Sequence, residues 1–143
     1  MEHFWRLIPW FNRLVLLAAT LIFALIGTRS ITDPVGAAAA SDIALGSALA
    51  VSTMRVGFGA FPLGCALVTF ACLVSPRRLH TGLSFVATIF GVALVVRVLA
   101  ILDDGTLSQS LALLSAEAIF LTLSIVGLVV DRGHRRQRSM EAT

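Results

Sequence analysis

The sequence contains very little charge: only 13% of its 143 residues are charged, whereas 57% are apolar. A soluble domain of this size carries about a quarter charged residues and just under half apolar ones. Together with a mean hydropathy of +0.93, this scarcity excludes a disordered chain, a coiled coil and an ordinary cytosolic fold. The class that is left is a multi-pass membrane protein small enough to form one domain.

Lysine and tyrosine are absent, so all eleven basic residues are arginines. We interpret this bias as the mark of a GC-rich bacterial genome rather than of a function. The net charge of +3 comes without a basic amphipathic stripe or interleaved aromatic residues, so we expect no nucleic-acid partner. The two cysteines, Cys65 and Cys72, lie about 10 Å apart along a helix, which is too far for a disulfide.

Sequence motifs of catalysis and metal binding are absent as well. There is no HExxH, no CxxC, no phosphate-binding glycine loop and no nucleophile elbow. The histidines His3, His80 and His134 lie at or beyond the ends of the apolar segments, and haem ligation would need a histidine deep within one. We therefore expect a protein that is not an enzyme, with no catalytic residue, no metal and no cofactor.

Four apolar segments are long enough for the ~17–25 residues that a spanning helix needs. They cover about residues 10–27, 43–74, 79–102 and 106–130. They predict an all-α membrane protein, a four-transmembrane-helix bundle in one domain (residues 1–131) with a polar basic tail over residues 132–143. The first segment and its charged flank also fit a signal peptide, but we expect it to be retained. Asp42 or Ser41 is the expected N-cap of the second span, and Pro62 its expected kink.

Arginines mark one side of the predicted bundle. With four spans, both termini and the loop after the second span face the same side. Eight arginines fall there, against Arg29 alone on the other side. By the positive-inside rule, we expect cytoplasmic termini and a multi-pass protein of a bacterial inner membrane.

Three ionisable residues interrupt the apolar segments: Arg55, Arg97 and Glu117. Such residues are costly inside a membrane and are candidate functional sites. Glu117 lies about 21 Å along the helix from Asp131, so its short side chain must be protonated, paired or facing a wet cavity. The two arginines lie near enough to the outer border to snorkel. We expect all three to form one cluster in the outer third of the membrane.

The predicted cluster has one surplus positive charge, and two accounts are open. In the structural account, Asp103 or Asp104 neutralises the second arginine, and the cluster locks the bundle. In the functional account, the surplus charge binds an anion such as a lipid phosphate or the head of an amphiphilic substrate. Small residues near these positions predict close helix packing, namely Gly57, Gly59, Ala60, Gly64 and Gly91.

The order of these motifs resembles that of a known family. Arg55-Val56-Gly57-Phe58-Gly59 is followed by Gly91-Val92-Ala93-Leu94-Val95-Val96-Arg97, by Asp104-Gly105 and by Ser115-Ala116-Glu117. This order is similar to that of the bacterial four-helix membrane family called domain of unknown function 4345, over roughly residues 14–130. The resemblance implies a four-helix inner-membrane bundle with Arg55, Arg97 and Glu117 at its recurrent polar positions, and it implies no activity. A looser likeness exists to DoxX-type proteins, some of which are associated with quinone-linked oxidoreductases.

These observations predict an accessory or scaffolding subunit of a membrane assembly. Its expected partners are membrane lipids and either further copies of itself or other membrane subunits. The alternative is a lipid- or quinone-type amphiphile-binding protein or small transporter that uses Arg55 or Arg97 for an anionic head group. An outward-opening groove against Arg55 or Arg97 favours the alternative, and a closed Arg55–Glu117 contact with no cavity beside it favours the scaffold.

Overall fold

The chain is helical along nearly its whole length. The computed structural model describes the backbone of residues 2–141 and the side chains of residues 10–108 and 110–132. A π-helical segment (Arg55–Ala60) joins α3 to α4, a 3-10 turn (Pro76–Arg78) precedes α5, and no strand occurs within residues 2–141. The α-helices of this range are α1 (Glu2–Thr32), α2 (Pro34–Ala39), α3 (Ala48–Met54), α4 (Phe61–Leu73), α5 (Leu79–Asp104) and α6 (Leu107–Glu141). The all-α prediction is confirmed.

Four helical stretches of the described chain are long and apolar enough to cross a membrane, as predicted. They are Trp10–Thr32, Ala48–Leu73, Pro76–Asp104 and Ser110–Arg132. The first runs past residue 27 to Thr32, whose hydroxyl donates to the Thr28 carbonyl at 2.9 Å and is thereby satisfied within the helix. Beyond the fourth, the α6 backbone continues through the basic segment to Glu141, although the side chains of its later arginines lie outside the described residues.

The second span begins at Ala48 rather than at residue 43, and its N-cap is Ser47 rather than Ser41 or Asp42. The Ser47 hydroxyl accepts the Ala50 N–H at 3.1 Å, which satisfies a free amide of the first turn. Asp42 instead takes a left-handed backbone conformation with φ of 56°, one that aspartate tolerates better than most residues.

The connection between α1 and α3 contains the short helix α2. Asp33 is its N-cap and accepts the Gly36 N–H at 2.9 Å, while Pro34 occupies the first helical position, where its missing N–H costs nothing. The alanine run that follows completes this helix rather than forming an open loop.

A π-helical segment precedes Pro62, where the sequence predicts an irregularity. Proline has no N–H to give to the carbonyl four residues earlier. The preceding residue, Phe61, donates its N–H to the Val56 carbonyl, five residues back. The wide turn begins at Arg55, and such turns are rare and concentrated at functional sites.

By its contacts the chain divides into two compact units, Leu17–Ala71 and a second made of Met1–Leu16 with Cys72–Thr143. In the first unit, α1 and the Arg55–Leu73 stretch run antiparallel with their backbones close together. A Cβ at Gly27 would lie 2.8 Å from the Gly59 carbonyl oxygen and 2.9 Å from the Leu63 nitrogen. A Cβ at Gly59 would lie 2.6 Å from Ile31. Glycine is therefore required at this crossing.

A buried hydroxyl pair extends the same contact. Thr20 donates to the Thr69 hydroxyl at 2.9 Å, and Thr69 in turn donates to the carbonyls of Cys65 and Ala66 at 2.9 and 3.0 Å. Thr69 is fully buried. The chain of bonds ties the two helices together without leaving the Thr69 hydroxyl unsatisfied in an apolar setting.

In the second unit, α5 and α6 form an antiparallel helical hairpin. The turn rests on Gly105, whose φ of 67° is left-handed and whose N–H donates to the Ile101 carbonyl, as glycine commonly does at a helix end. Half-way along the hairpin the rings of Phe90 and Phe120 stack with centroids 4.8 Å apart.

The start of α1 packs on this hairpin within the second unit. Leu16 is fully buried, and its methyl carbons lie 3.0 and 3.1 Å from where a Cβ at Gly82 would stand. Asn12 Oδ1 lies 2.6 Å from the equivalent position at Gly127. Both cysteines are buried free thiols, as their spacing predicts.

Candidate functional site

An ion pair joins α5 to α6 within the apolar part of the hairpin. Arg97 Nε donates to Glu117 Oε2 at 2.8 Å, and Arg97 Nη2 donates to Oε1 at 2.6 Å. The arrangement is bidentate, with one hydrogen bond to each carboxylate oxygen, which is the strongest geometry available to this pair. The side chains are 27% and 11% exposed respectively. Glu117 is therefore paired, one of the three possibilities open to it in the sequence.

The antiparallel hairpin explains why residues twenty positions apart meet. Arg97 lies about 10.5 Å before the end of α5, and Glu117 lies about 15 Å after the start of α6. The two Cα atoms therefore lie at similar depth on opposite arms, and the long arginine side chain covers the difference. Leu121 Cδ1 lies 3.6 Å from a Cβ placed at Gly91, so α5 and α6 are within ordinary contact distance one to two turns below Arg97.

Glu117 belongs to a line of polar residues along one face of α6. Ser110, Glu117, Ser124 and Asp131 follow one another at intervals of seven residues, an interval that returns a helix to nearly the same face. Glu117 and Ser124 are buried, and Ser110 and Asp131 are half-buried. This spacing is visible in the sequence, so it could have identified Ser110 and Ser124 as candidate site residues beside Glu117.

A groove of about 320 Å³ lies beside the ion pair. Its lining consists of Ala93, Val96, Arg97, Ala100, Ser110 and Glu117. A guanidinium has five N–H donors, and Glu117 takes two of them, which leaves three for a second acceptor. Because the pair is neutral as a unit, the groove suits an uncharged oxygen acceptor at the head of an apolar molecule. No group of His, Cys, Asp and Glu side chains among the described residues is arranged to hold a metal ion.

Buried polar atoms also occur where α1 meets α6. Asn12 is 1% exposed and Ser124 is fully buried, yet Asn12 Oδ1 and Ser124 Oγ have no hydrogen-bond partner within the described part of the chain. Arg13 Nε is likewise buried without a partner there, while its guanidinium carbon lies 5.9 Å from the centre of the Trp10 ring. Such unsatisfied groups are costly in an apolar environment.

Arg55, Asp103 and Asp104 are the other predicted members of the cluster, and all three are exposed. Arg55 belongs to the Leu17–Ala71 unit and is exposed. Asp103 and Asp104 are exposed at the end of α5. The pairing of Glu117 with Arg97 is confirmed, whereas the inclusion of Arg55, Asp103 and Asp104 in the cluster stays a prediction.

The small residues predicted to pack helices lie in two different settings. Gly59 faces Ile31, and Gly91 faces Leu121, so both lie at helix contacts. A Cβ at Gly57 or Gly64 would meet no atom within 4 Å, and these two glycines are exposed, as is Ala60. The surface formed by Gly57, Ala60 and Gly64 is therefore not covered by any described residue.

One family model matches the chain, and it covers most of it. The model is described as domain of unknown function (DUF4345) and matches residues 11–128. The chain belongs to this family. The resemblance drawn from the motif order is confirmed, and Arg55, Arg97 and Glu117 all fall within the match. No curated protein and no solved structure matches the chain.

Proposed function

We propose that this chain is a non-enzymatic accessory or scaffolding subunit of a membrane assembly. The observation that carries the proposal is the exposed small-residue surface of Ala60 and Gly64, and the bidentate pair of Arg97 and Glu117 supports a structural role for the buried charges. Each carboxylate oxygen of Glu117 accepts one hydrogen bond from the Arg97 guanidinium. The pair therefore stabilises the packing of α5 against α6. An acid or base that acts in catalysis needs a proton it can exchange, and a pair closed in this way favours structure over chemistry.

We place the subunit in a bacterial inner membrane with its termini in the cytoplasm. The proposal rests on the arginine distribution, eight on the side of the termini against Arg29 alone on the other, which is typical of cytoplasmic loops. The arginine-only basic set supports a bacterial source. A reporter fused after Glu141 tests the orientation: a cytoplasm-active fluorescent protein should be bright, and a periplasm-active phosphatase should be silent.

The open surface of Ala60 and Gly64 is the proposed contact with a neighbouring subunit. The two residues are four apart and exposed, which is the small-xxx-small spacing that lets two membrane helices approach closely. A Cβ at Gly64 would meet nothing within 4 Å, so no described residue requires a glycine there. The occupant is a second copy of this chain or a helix of another subunit.

Purification in native lipid with mass measurement tests this role. The wild-type chain of 15.2 kDa should appear as a larger assembly, and Gly64→Leu should release it as a single chain. Gly46→Leu is the matched control, because it adds the same side chain at another glycine with open space around it. A wild-type protein that is a single chain without another polypeptide would overturn the accessory role.

The groove beside Arg97 favours a second candidate, an amphiphile-binding protein or small transporter. Its neutral ion pair has three unused donors and apolar walls, which suit the carbonyl head of a quinone-type molecule. Decylubiquinone should then raise the unfolding temperature of the wild type and not that of Ala100→Leu, which fills the groove. Ala112→Leu, at an exposed α6 position outside the lining, is the control. Equal shifts in both variants would exclude this groove as the site.

A further inference from the structure

The Leu17–Ala71 unit contains a second groove, formed by the end of the α1–α3 connection, α3 and the start of the π-helical segment. Its volume is about 510 Å³, within the ordinary range for a site that takes a small molecule. The walls are mostly apolar and include Ile43, Leu45, Leu49 and Phe58. Ser47 and Thr53 add two hydroxyl groups to the lining. Such a lining suits a hydrocarbon chain better than a soluble ligand.

Arg55 follows the lining residue Met54 along the helix and lies level with the end of the first span. The antiparallel register is constant: Thr69 meets Thr20, Leu63 meets Gly27 and Gly59 meets Ile31. Continuing it places Arg55 opposite Pro34 or Val35, just beyond Thr32, where the first candidate span ends. On its own helix Arg55 lies seven residues inside the second candidate span, which begins at Ala48, so its long side chain meets a lipid phosphate by extending toward the head groups.

The charge of Arg55 is not compensated within its own unit. Among residues 17–71, no hydrogen bond or ion pair engages its guanidinium, and the side chain is exposed. The nearest acidic residue in that register, Asp33, uses Oδ1 to cap α2 through the Gly36 N–H. A guanidinium that is exposed, unpaired within residues 17–71 and able to extend toward the head groups is suited to the bidentate recognition of a phosphate.

We propose that Arg55 and this groove form a binding site for an anionic phospholipid. The lipid phosphate accepts hydrogen bonds from Arg55, and one acyl chain lies along Leu49 and Phe58. The π-helical turn contributes the space, since Gly57 lines the groove and a Cβ there would meet no atom within 4 Å. This assignment goes beyond the accessory role and does not depend on it. It also gives the rare backbone turn at Arg55 a function.

The site is tested with the full chain, purified and delipidated in a neutral detergent. Dioleoyl-phosphatidylglycerol is added, and bound lipid is counted by native mass spectrometry together with the unfolding temperature. The wild type should retain one tightly bound lipid, and Arg55→Gln should bind it roughly tenfold more weakly, the effect of losing about one charge-assisted contact. Gly57→Leu, which fills the groove and keeps the arginine, should weaken binding similarly.

Matched controls separate this site from general attraction to anionic lipid. Arg77→Gln removes an exposed arginine elsewhere, and Ala112→Leu adds a leucine at an exposed α6 position outside the groove; both should bind as the wild type does. Arg55→Lys should recover part of the affinity. The proposal is overturned if Arg55→Gln and Gly57→Leu retain the lipid unchanged, or if dioleoyl-phosphatidylcholine is held as tightly. It is also overturned if inorganic phosphate alone gives the full stabilisation, since the acyl chain would then contribute nothing.

Discussion

Removing one partner of the Arg97–Glu117 pair should destabilise the α5–α6 hairpin more than removing both. The single variants are Arg97→Met and Glu117→Met, each of which leaves the opposite charge in an apolar setting. The double variant leaves no charge at the site and replaces both groups by side chains that suit a membrane. Arg77→Met, at an exposed position without an ion pair to a described residue of its unit, is the control.

The magnitude follows from the geometry of the pair. Hydrogen bonds between membrane helices contribute about 0.6 kcal/mol on average and up to about 1.7 kcal/mol each. The two bonds therefore give about 1–3 kcal/mol, and a stranded buried charge raises the cost toward about 3–5 kcal/mol. Because the Arg97 side chain is 27% exposed, part of that charge stays solvated. We expect a loss of about 2 kcal/mol for each single variant and about 1 kcal/mol for the double variant, which corresponds to about 3 kcal/mol of coupling between the two residues.

Reversible unfolding in mixed micelles, with increasing fractions of a denaturing detergent, measures these free energies. The four proteins of the double-mutant cycle yield the coupling energy directly. A coupling below about 0.5 kcal/mol, or a double variant less stable than both single ones, would refute the conclusion that the pair locks the hairpin.

Three further variants test other contacts by the same unfolding assay. Gly27→Ala should cost about 1–3 kcal/mol, because the new Cβ meets backbone atoms at 2.8 and 2.9 Å; Gly64→Ala, with open space around it, should leave stability unchanged or raise it by up to about 1 kcal/mol, because alanine is the better helix former, and equal losses would contradict the close crossing. Thr69→Val should cost about 0.6–1.7 kcal/mol, since it removes the acceptor of the Thr20 hydroxyl; an unchanged stability would mean that this bond contributes nothing. Ser124→Ala should leave stability unchanged or raise it by about 1 kcal/mol, because its buried hydroxyl has no partner in the described part of the chain; a clear loss would reveal a contact that the structure does not contain.

The spans and the ion pair were predictable because apolar length and charge in a membrane are strong constraints. A glutamate twelve or so residues from either end of an apolar helix needs a partner, and α5 supplies Arg97 at similar depth. The helix starts were harder to predict. Ser41, Asp42 and Ser47 are all good caps, and the choice of Ser47 depends on how residues 33–47 fold onto the helix ends, which local sequence does not encode.

The π-helical segment and the buried hydroxyls could not be predicted in the same way. Pro62 signals an irregular turn, but whether the helix kinks or widens depends on the backbone contact between Gly27 and Gly59, which are far apart in sequence. Ser124 carries only a weak signal, its seven-residue spacing from Glu117. Nothing in the local sequence indicates that Asn12 is buried. Its burial depends on the packing of α1 against α6 near Gly127.

The central claim is that Arg97 and Glu117 form a charged, bidentate pair inside the membrane-spanning hairpin. Solid-state NMR of the full chain in lipid bilayers, with labelled arginine nitrogens and glutamate carboxyl carbons, tests it directly; Glu117→Gln assigns the signal. The N–O distances of 2.6 and 2.8 Å predict strong dipolar coupling between the Arg97 guanidinium and an ionised Glu117 carboxylate. A protonated Glu117 without coupling to any arginine nitrogen would contradict the account.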